Sequence, residues 1–347
     1  MKNRISIIFS LAVFALVLGF GGIHVSAYGK SHIEVGEEIV SSSALSGGNY
    51  SADNLCDYNL TTAWVEGASG DGIGEYVEFE VAKNQRIDDI VIATGYQKSD
   101  ALFAKNSAPT RITISSGSYR ETVDVKDEMG FQVIPITPVV SNGRVRVRID
   151  AVRRGSKYTD TCISELHFLQ EADYRGKYKD LTISFGTIYG SADAYGIITA
   201  RDKSGAVKWS KVISGYMTEL TTLQAIGIKG NQFLYLQMGT IHALNPSNGR
   251  EKWSNDEFGG ASASFVFTSD NKLILCGYYG PDFFMCGADG RTIANIGSFD
   301  DRYYWPYEIR LNRDETLAEV TLEGGKPYPD SVRFIVDLRD FSYRMVK

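Results

Sequence analysis

The sequence predicts an all-β chain with two domains in series. Twenty tyrosines and 35 glycines, with few long apolar runs at helical spacing, are typical of short strands separated by tight turns. Val77, Phe79 and Val81 alternate with Glu78 and Glu80, and this period of two places one face of a strand in a core. The length of 347 residues, with an internal repeat in the C-terminal half, indicates two domains.

The chain begins with a segment typical of an export signal. Lys2 and Arg4 precede an apolar run from Ile5 to Gly22, and the small residues Val25-Ser26-Ala27 follow it. We therefore expect residues 1–27 to be a signal peptide, and the mature protein to be secreted without a membrane span. The run is also long enough for an uncleaved anchor, which remains an alternative.

The net charge argues against nucleic acid as a partner. The formal charge is −6 at pH 7, and removal of the leader takes away Lys2 and Arg4 and leaves a more acidic protein. Because such a surface repels phosphate groups, neither nucleic acid nor anionic lipid is expected as the main partner.

The stretch from Asn54 to Trp64, N-L-C-D-Y-N-L-T-T-A-W, groups several polar side chains in one loop. Asp57, Asn59 and Thr62 offer oxygen atoms to one point, which is typical of a site for a hard cation. An Asx-rich turn leading into a strand is the alternative, and the residues alone leave both open. We expect Trp64 to be buried beneath this loop.

Several further motifs, taken in order, resemble one family. They are S-S-x-L at Ser42 to Leu45, G-D-G-I-G-E-Y at Gly70 to Tyr76, A-T-G-Y-Q-K-S at Ala93 to Ser99, and C-I-S-E-L-H-F at Cys162 to Phe168. With the D-x-N-x-x-T-A-W loop, residues 35–170 resemble the NADase-type glycan-binding domain, a branch of the discoidin-like (coagulation-factor type C) jelly rolls. The resemblance implies a glycan-binding β-sandwich. It implies no NADase chemistry, because the glycan-binding module is distinct from the catalytic one.

The resemblance also implies a structural Ca²⁺, because it places the glutamate of the I-S-E-L segment beside the loop. The implied ligands are Asp57, Asn59, Thr62 and Glu165, with backbone carbonyls completing the shell. Tyr58 departs from the pattern, since relatives commonly have glycine at this position.

Four cysteines, Cys56, Cys162, Cys276 and Cys286, lie in a chain expected to be exported, where disulfides are allowed. The resemblance makes the places of Cys56 and Cys162 neighbours, which implies a bridge between them. Cys276 and Cys286 flank a turn at Gly280-Pro281, and a bridge or two buried thiols are both open.

The resemblance places glycan binding at loop tips near Tyr96, Lys98, Phe103 and Asn106. An aromatic ring suits the C–H face of a pyranose, and amide and cationic donors suit its hydroxyl groups. The alternative is structural, with Phe103 closing the end of the sandwich and Asn106 capping a turn.

A stripe of arginines, Arg144, Arg146 and Arg148, lies opposite the apolar positions of its strand. It is either an anion-binding face or a solvated edge, and the second is the commoner role.

The C-terminal half repeats. Residues 171–179 are charged and poor in aliphatic side chains, so we expect a linker there and a second domain over 180–347. Gly205 and Gly249 lie 44 residues apart, as do Trp209 and Trp253, and a period of about 40 to 45 residues predicts propeller blades. These units resemble the blades of quinoprotein-like (PQQ-type) β-propellers, and four of them fill the domain, closed in one chain or by dimerisation.

Four repeats predict no PQQ site, because the family's enzymes use about eight blades around the quinone. Trp209 and Trp253 are then expected to pack between blades, and a role as sugar-stacking platforms is the alternative. The expected role of the propeller-like domain is therefore contact with a ligand or with another protein.

The chain carries few signs of catalysis. It has no paired histidines at zinc-binding spacing and no nucleophile elbow. Carboxylates such as Asp300 with Asp301, Glu219 and Glu308 are plentiful, so a glycan-active enzyme with its site at the propeller mouth is the alternative. The sequence predicts a secreted, non-catalytic protein that binds an extracellular or cell-surface glycan.

Overall fold

The computed structural model describes Ser31 and residues 33–170, 172–216, 222–300, 303–324 and 331–346. The expected signal peptide lies outside these residues. Strands dominate this part of the chain, two sheets in the first domain and four in the second. No helix among these residues is long and apolar enough to cross a membrane.

The first domain is a sandwich of two antiparallel sheets. Its elements are β1 (Val35–Ser41), a 3-10 helix (Ala52–Cys56), β2 (Trp64–Val65), β3 (Tyr76–Val81), β4 (Arg86–Thr94), α1 (Asp100–Lys105), β5 (Ala108–Ser116), β6 (Tyr119–Asp124), β7 (Gln132–Val140), β8 (Arg144–Arg153) and β9 (Cys162–Leu169). Sheet A has the order β2-β9-β4-β7, and sheet B has the order β1-β3-β8-β5-β6. The all-β sandwich predicted for this half is confirmed.

The core of the first domain lies between sheets A and B. Phe79 of sheet B meets Phe168 of sheet A edge to face, with ring centroids 5.1 Å apart. Trp64 is fully buried and donates its Nε1 hydrogen to the Ser43 carbonyl at 2.9 Å, as a buried indole N–H requires. The burial predicted for Trp64 is confirmed.

The arginine stripe lies on a central strand, because β8 runs between β3 and β5. The expectation of a sheet edge was therefore wrong. Arg144 and Arg146 both reach Glu78, at 2.7 and 2.8 Å, and Arg148 reaches Asp150 at 2.6 Å. The outer face of sheet B is thus charged, solvated and internally paired.

The second domain consists of four antiparallel meanders. Its strands are β10 (Tyr174–Tyr178), β11 (Leu181–Tyr189), β12 (Asp193–Arg201), β13 (Val207–Tyr216), β14 (Leu223–Lys229), β15 (Gln232–Gln237), β16 (Thr240–Leu244), β17 (Glu251–Asn255), β18 (Ser262–Phe267), β19 (Leu273–Tyr278), β20 (Phe283–Cys286), β21 (Thr292–Ile296), β22 (Tyr303–Leu311), β23 (Leu317–Gly324), β24 (Ser331–Asp337) and β25 (Tyr343–Val346). They form sheets C (β10–β13), D (β14–β17), E (β18–β21) and F (β22–β25). Because β10 pairs with β11, most of the expected linker 171–179 belongs to sheet C.

The sheets pack face to face in chain order. The outer face of sheet A meets sheet C through Val91 and Leu169 against Ile188 and Ile197. Further apolar clusters join sheet C to D, D to E, and E to F. The first domain therefore covers one face of sheet C, and sheet D covers the other.

Sheet F ends this stack with a polar face. Val332, Phe334 and Val336 point into the cluster shared with sheet E. Arg333 alternates with them and lies 3.6 Å from Glu319 on the opposite face. A polar outer face is expected of a terminal repeat. Each of the four predicted repeats is a four-stranded sheet, but the described part of the chain shows no closed ring, so the propeller remains a prediction.

Tryptophan packs on glycine at two junctions within the second domain. The ring of Trp209 in sheet C lies on Gly249 in a turn of sheet D, and its Nε1 donates to the Pro246 carbonyl at 3.0 Å. The ring of Trp253 in sheet D lies in the same way on Gly290 of sheet E. The packing role predicted for both tryptophans is confirmed.

Cys276 and Cys286 are free thiols on opposite faces of sheet E. Cys276 belongs to the cluster shared with sheet F, and Cys286 belongs to the cluster shared with sheet D. A bridge between the two faces of one sheet is not possible, which settles the alternative in favour of buried thiols. Burial raises the pKa of both thiols to about 12.

Candidate functional site

The Asp57–Thr62 loop begins where the 3-10 helix ends. Thr62 Oγ1 donates to Asp57 Oδ2 at 2.7 Å and also lies 2.7 Å from the Asn59 carbonyl oxygen. The Asn59 amide donates to Asp57 Oδ1 at 3.0 Å, which closes the turn. A carboxylate, a hydroxyl group and a carbonyl group therefore converge in this loop.

Glu165 reaches the loop from β9. Its side chain is fully buried, accepts a hydrogen bond from the Asn59 amide at 2.6 Å, and lies 2.7 Å from His167 Nε2. Its pKa is raised to about 9, first by burial and next by the neighbouring charge of Asp57. Asp57 is exposed, so the buried Glu165 is the carboxyl group that needs a proton or a nearby cation.

The structure brings the four predicted ligands together with one change of role. The side chain of Asn59 turns away, because its Oδ1 accepts from the Thr61 amide at 3.0 Å and from Thr61 Oγ1 at 2.7 Å. Asn59 offers its carbonyl oxygen instead. The described residues include no group of three or more His, Cys, Asp or Glu side chains placed for a metal. A cation bound here would therefore need hydroxyl and backbone oxygens among its ligands.

Tyr58 adopts the left-handed conformation, with φ +60, which glycine reaches at lower cost than any other residue. Its ring stacks on Tyr195 of sheet C, with centroids 5.2 Å apart and planes at 25°, and lies 5.2 Å from the His167 ring. Gly190 leaves room for it, since a Cβ there would lie 2.6 Å from the Tyr58 ring. The departure from glycine therefore has a structural reason, namely contact with the second domain.

The structure contradicts the predicted Cys56–Cys162 bridge, and both thiols are free. Cys56 Sγ donates to the carbonyl of Leu166 at 3.2 Å, whereas Cys162 packs beside Ala63 and Val65. Leu166 and Cys162 are four positions apart on one strand, so they are separated by ~13 Å at ~3.3 Å per residue. A disulfide requires Cα atoms within ~7 Å of each other.

The loop end of the sandwich, which we define as residues 66–75, 95–107 and 154–161, is held together by polar contacts. Arg154 lies 3.0 Å from Asp71, and Thr161 Oγ1 donates to the Asp71 carbonyl at 2.8 Å. The Ser107 amide donates to the Asp160 carbonyl at 3.1 Å. These bonds fix the three loops relative to one another, which suits a binding platform.

Of the four residues predicted to bind glycan, Tyr96 and Lys98 are accessible. Tyr96 is half-buried and, like Tyr50, packs on a small apolar cluster of Ala63, Val65 and Cys162, which we call the Val65–Cys162 cluster. Lys98 is exposed. Phe103 is half-buried against Gly95, with the Arg153 guanidinium 4.8 Å from its ring centroid.

Asn106 has a structural role. It is 8% exposed, and its Nδ2 donates to the Leu102 carbonyl at 2.9 Å, which closes the end of α1. Its carbonyl oxygen accepts from Arg153 at 2.6 Å. These contacts agree with the alternative that Asn106 caps a turn. Its buried side chain is poorly placed to bind a sugar.

Tyr158 was missed by the sequence reasoning. It is 40% exposed at the loop end, and the Lys157 ammonium lies 5.0 Å from its ring centroid. Its amide donates to the Lys105 carbonyl, which ties it to the end of α1 at 2.9 Å. The available signal was a single aromatic residue in the short polar run from Gly155 to Asp160.

Of the candidate catalytic carboxylates, only some lie in the part of the chain that the structure describes. Glu219 and Asp301 lie outside the described residues. Glu308 is paired with Arg310 at 2.7 Å on the sheet F strand β22. Such a pair is typical of a surface ion pair and not of a catalytic proton donor.

Residues 28–169 match the family model of the NAD glycohydrolase translocation F5/8 type C domain. The match coincides with the first domain and ends at the last residue of β9. The discoidin-like character predicted for this half is confirmed. The match does not extend into the second domain, and a search of curated proteins found no match.

Solved structures of carbohydrate-binding modules are similar to part of the chain. One contains the CBM32-1, CBM32-2 and M60 catalytic domains of Clostridium perfringens ZmpB, with 17% identity, 40% of this chain and 14% of that chain covered, and a TM-score of 0.32. A pectin-binding module shares 17% identity over 40% of this chain and 94% of its own, with a TM-score of 0.31. The family 32 module of Clostridium perfringens NanJ, in complex with galactose, shares 16% identity over 38% and 93%, with a TM-score of 0.31.

Proposed function

We propose that this protein is a secreted glycan-binding protein without catalytic activity, which binds through the loop end of its first domain. The observation that carries the proposal is the accessible tyrosine and lysine surface on loops fixed to one another. Tyr96 with Lys98, and Tyr158 with Lys157, combine a ring face with an ammonium donor. Rings suit the C–H face of a pyranose, and ammonium groups suit its hydroxyl oxygens.

The surroundings of Tyr96 support its role as the main platform. Its ring packs on the Val65–Cys162 cluster on one side, so little conformational entropy is lost when a sugar covers the other side. Since the surface is open and leaves most of a sugar in water, we expect dissociation constants of tens of micromolar to millimolar, about −6 to −4 kcal/mol. Tyr96 and Lys98 stay in the proposed site, whereas Phe103 and Asn106 support the loop.

The test compares binding by the folded protein and its variants on a glycan array, followed by titration of the best ligand. Tyr96→Ala combined with Lys98→Ala is expected to weaken binding at least tenfold. The matched control is Tyr216→Ala, which removes a tyrosine that is 50% exposed in sheet C, far along the chain from the loop end. Unchanged affinity in the double variant, or equal losses in both, contradicts the proposed site.

We also propose that Ca²⁺ holds the Asp57–Thr62 loop. Asp57, Thr62, Glu165 and the Asn59 carbonyl would hold it, and the cation would supply the positive charge that the buried glutamate needs. Added Ca²⁺ is expected to raise the melting temperature of the natural protein above its value in EDTA, and not that of Asp57→Asn. Identical melting temperatures of the natural protein in Ca²⁺ and EDTA contradict the site.

A further inference from the structure

We propose that a pocket between sheets D and E binds the carboxylate group of an acidic sugar. The pocket lies at one corner of the D–E junction, where Lys229 and Asn231 come from the first hairpin of sheet D, Trp253 from its last strand, and Phe267 and Asn271 from the first hairpin of sheet E. Its volume is about 60 Å³. At ~10–15 Å³ for each enclosed water, it has room for a carboxylate with its carbon stem but not for a whole ring.

The apolar wall of the pocket is fixed in place. Trp253 Nε1 donates to the Ala288 carbonyl at 3.1 Å and to Gln232 Oε1 at 3.2 Å, and Gly290 lies against the indole ring. Phe267, half-buried, supplies a second ring. A pyranose whose carboxylate enters the pocket would place its C–H groups beside these rings.

The charge of the pocket favours an anion. The Lys229 ammonium lies 5.6 Å from the Phe267 ring centroid, and no salt bridge to it occurs among the described residues. The Lys252 ammonium donates to Asn231 Oδ1 at 2.8 Å, which leaves the Asn231 amide hydrogens as donors. Asp270 pairs with Lys272 at 2.8 Å and Asp289 with Arg291 at 3.5 Å. A third acid, Glu315 of sheet F, accepts hydrogen bonds from the amide and hydroxyl of Ser269 at 2.8 Å, on the hairpin that carries Asn271.

The corresponding corner of the E–F junction is filled by apolar side chains. There the turn of sheet F contributes Leu338 and Phe341 to the apolar cluster, and the Phe341 ring lies 6.4 Å from the Phe283 ring, measured between centroids. The D–E junction has Lys229 and asparagine side chains where the E–F junction has apolar ones, so the two repeats differ at this corner. Departures of this kind are expected at functional positions.

The pocket lies in the second domain, so its failure as a site would leave the proposal for the loop end intact. The experiment titrates the full chain with D-glucuronate, D-glucose and acetate and follows tryptophan fluorescence, since Trp253 forms part of the wall. Glucuronate is expected to give a saturable change, with glucose and acetate each at least tenfold weaker. If glucose binds as tightly as glucuronate, the carboxylate is not what the pocket recognises. If acetate binds as tightly, the sugar ring contributes nothing to binding.

Two variants test the residues. Lys229→Met keeps the contact with Phe267 but removes the charge, and Asn271→Gly removes the amide while keeping a residue that accepts φ +66. Each variant is expected to lower the affinity for glucuronate at least fivefold without changing the melting temperature. The control Lys203→Met removes an exposed lysine of sheet C that pairs with Asp180 at 2.7 Å, and should bind as the natural protein does. Unchanged binding by Lys229→Met overturns the proposal.

Discussion

The junction between sheets A and C differs in kind from the junctions within the second domain. Sheets C, D and E join through tryptophan on glycine and through apolar clusters of aliphatic and aromatic side chains. The A–C junction has an apolar cluster too, but it adds an Arg201–Asp89 pair at 2.7 Å, the buried Glu165–His167 pair, and the stacked rings of Tyr58 and Tyr195. The first kind of contact resembles a continuous core, and the second resembles an interface between two domains.

Directional bonds also place the start of the first domain on the second. Ser31 Oγ donates to Asp173 Oδ2 at 2.8 Å and lies 2.9 Å from the Thr187 carbonyl oxygen. The Ser31 amide donates to Asp173 Oδ1 at 3.0 Å. The internal junctions therefore depend mainly on shape, whereas the A–C junction combines apolar packing with charged pairs, so its stability is expected to depend on pH.

The largest expected effect is at an internal junction, where Gly290→Ala tests the dependence on shape. Gly290 has φ +84, and an added Cβ would lie 2.5 Å from the Trp253 ring. The left-handed conformation costs ~1–2 kcal/mol for a non-glycine residue, and overpacking adds ~1–3 kcal/mol. We expect the free energy of unfolding of the unit containing sheet E to fall by about 3 kcal/mol in urea denaturation.

Gly205→Ala is the matched control, because Gly205 has φ +88 in the equivalent turn of sheet C but no atom within 4 Å of the added Cβ. It should lose only the backbone part, about 1 kcal/mol. Equal losses at the two positions would show that the contact with tryptophan contributes nothing.

At the A–C junction, Arg201→Met is expected to cost about 2 kcal/mol at pH 7, because it leaves the buried Asp89 carboxylate without its cation. Burial already raises the pKa of Asp89 in the folded protein, and Arg201 opposes that rise, with a smaller contribution from Arg175. The variant should raise this pKa further. An acid with a raised pKa binds its proton more tightly when folded, so stability is greatest below the unfolded pKa of ~3.9 and falls as pH rises.

The measurement is the difference in free energy of unfolding between the variant and the natural protein at pH 4 and pH 7. The loss should be clearly smaller at pH 4. Arg291→Met, which removes an exposed cation 3.5 Å from Asp289, should change stability by less than about 0.5 kcal/mol at both pH values. A loss for Arg201→Met that is independent of pH would mean that the side chain acts by packing alone.

Local patterns predicted the units of this fold well. Alternation of apolar and polar residues predicted strands of sheet B. The spacing of Gly205, Trp209, Gly249 and Trp253 predicted a repeat and the packing role of both tryptophans. These features depend on residues close in sequence or on a repeat, and both are visible in the chain itself.

Features that depend on which sheet faces which were missed. β9 is buried over all eight residues, including Glu165 and His167, because sheet C covers the face that sheet B does not. A polar residue on that face reads as solvated until the second sheet is known. The position of β8 in the middle of sheet B, and the separation of Cys56 from Cys162, are likewise set by long-range pairing.

The smallest expected effect is that of Tyr58→Gly, in which two contributions of similar size oppose each other. Glycine relieves the ~1–2 kcal/mol cost of φ +60, but it removes the stacking with Tyr195, worth ~0.5–1.5 kcal/mol, and the burial of a large ring. We expect a net loss of about 1 kcal/mol in urea denaturation, at one fixed Ca²⁺ concentration. Tyr58→Phe keeps both the ring and the strain, so it should stay within about 0.5 kcal/mol of the natural protein. If Tyr58→Gly is as stable as the natural protein or more so, the ring does not hold sheet C against the first domain, and the charged pair Asp89–Arg201 must carry more of that junction.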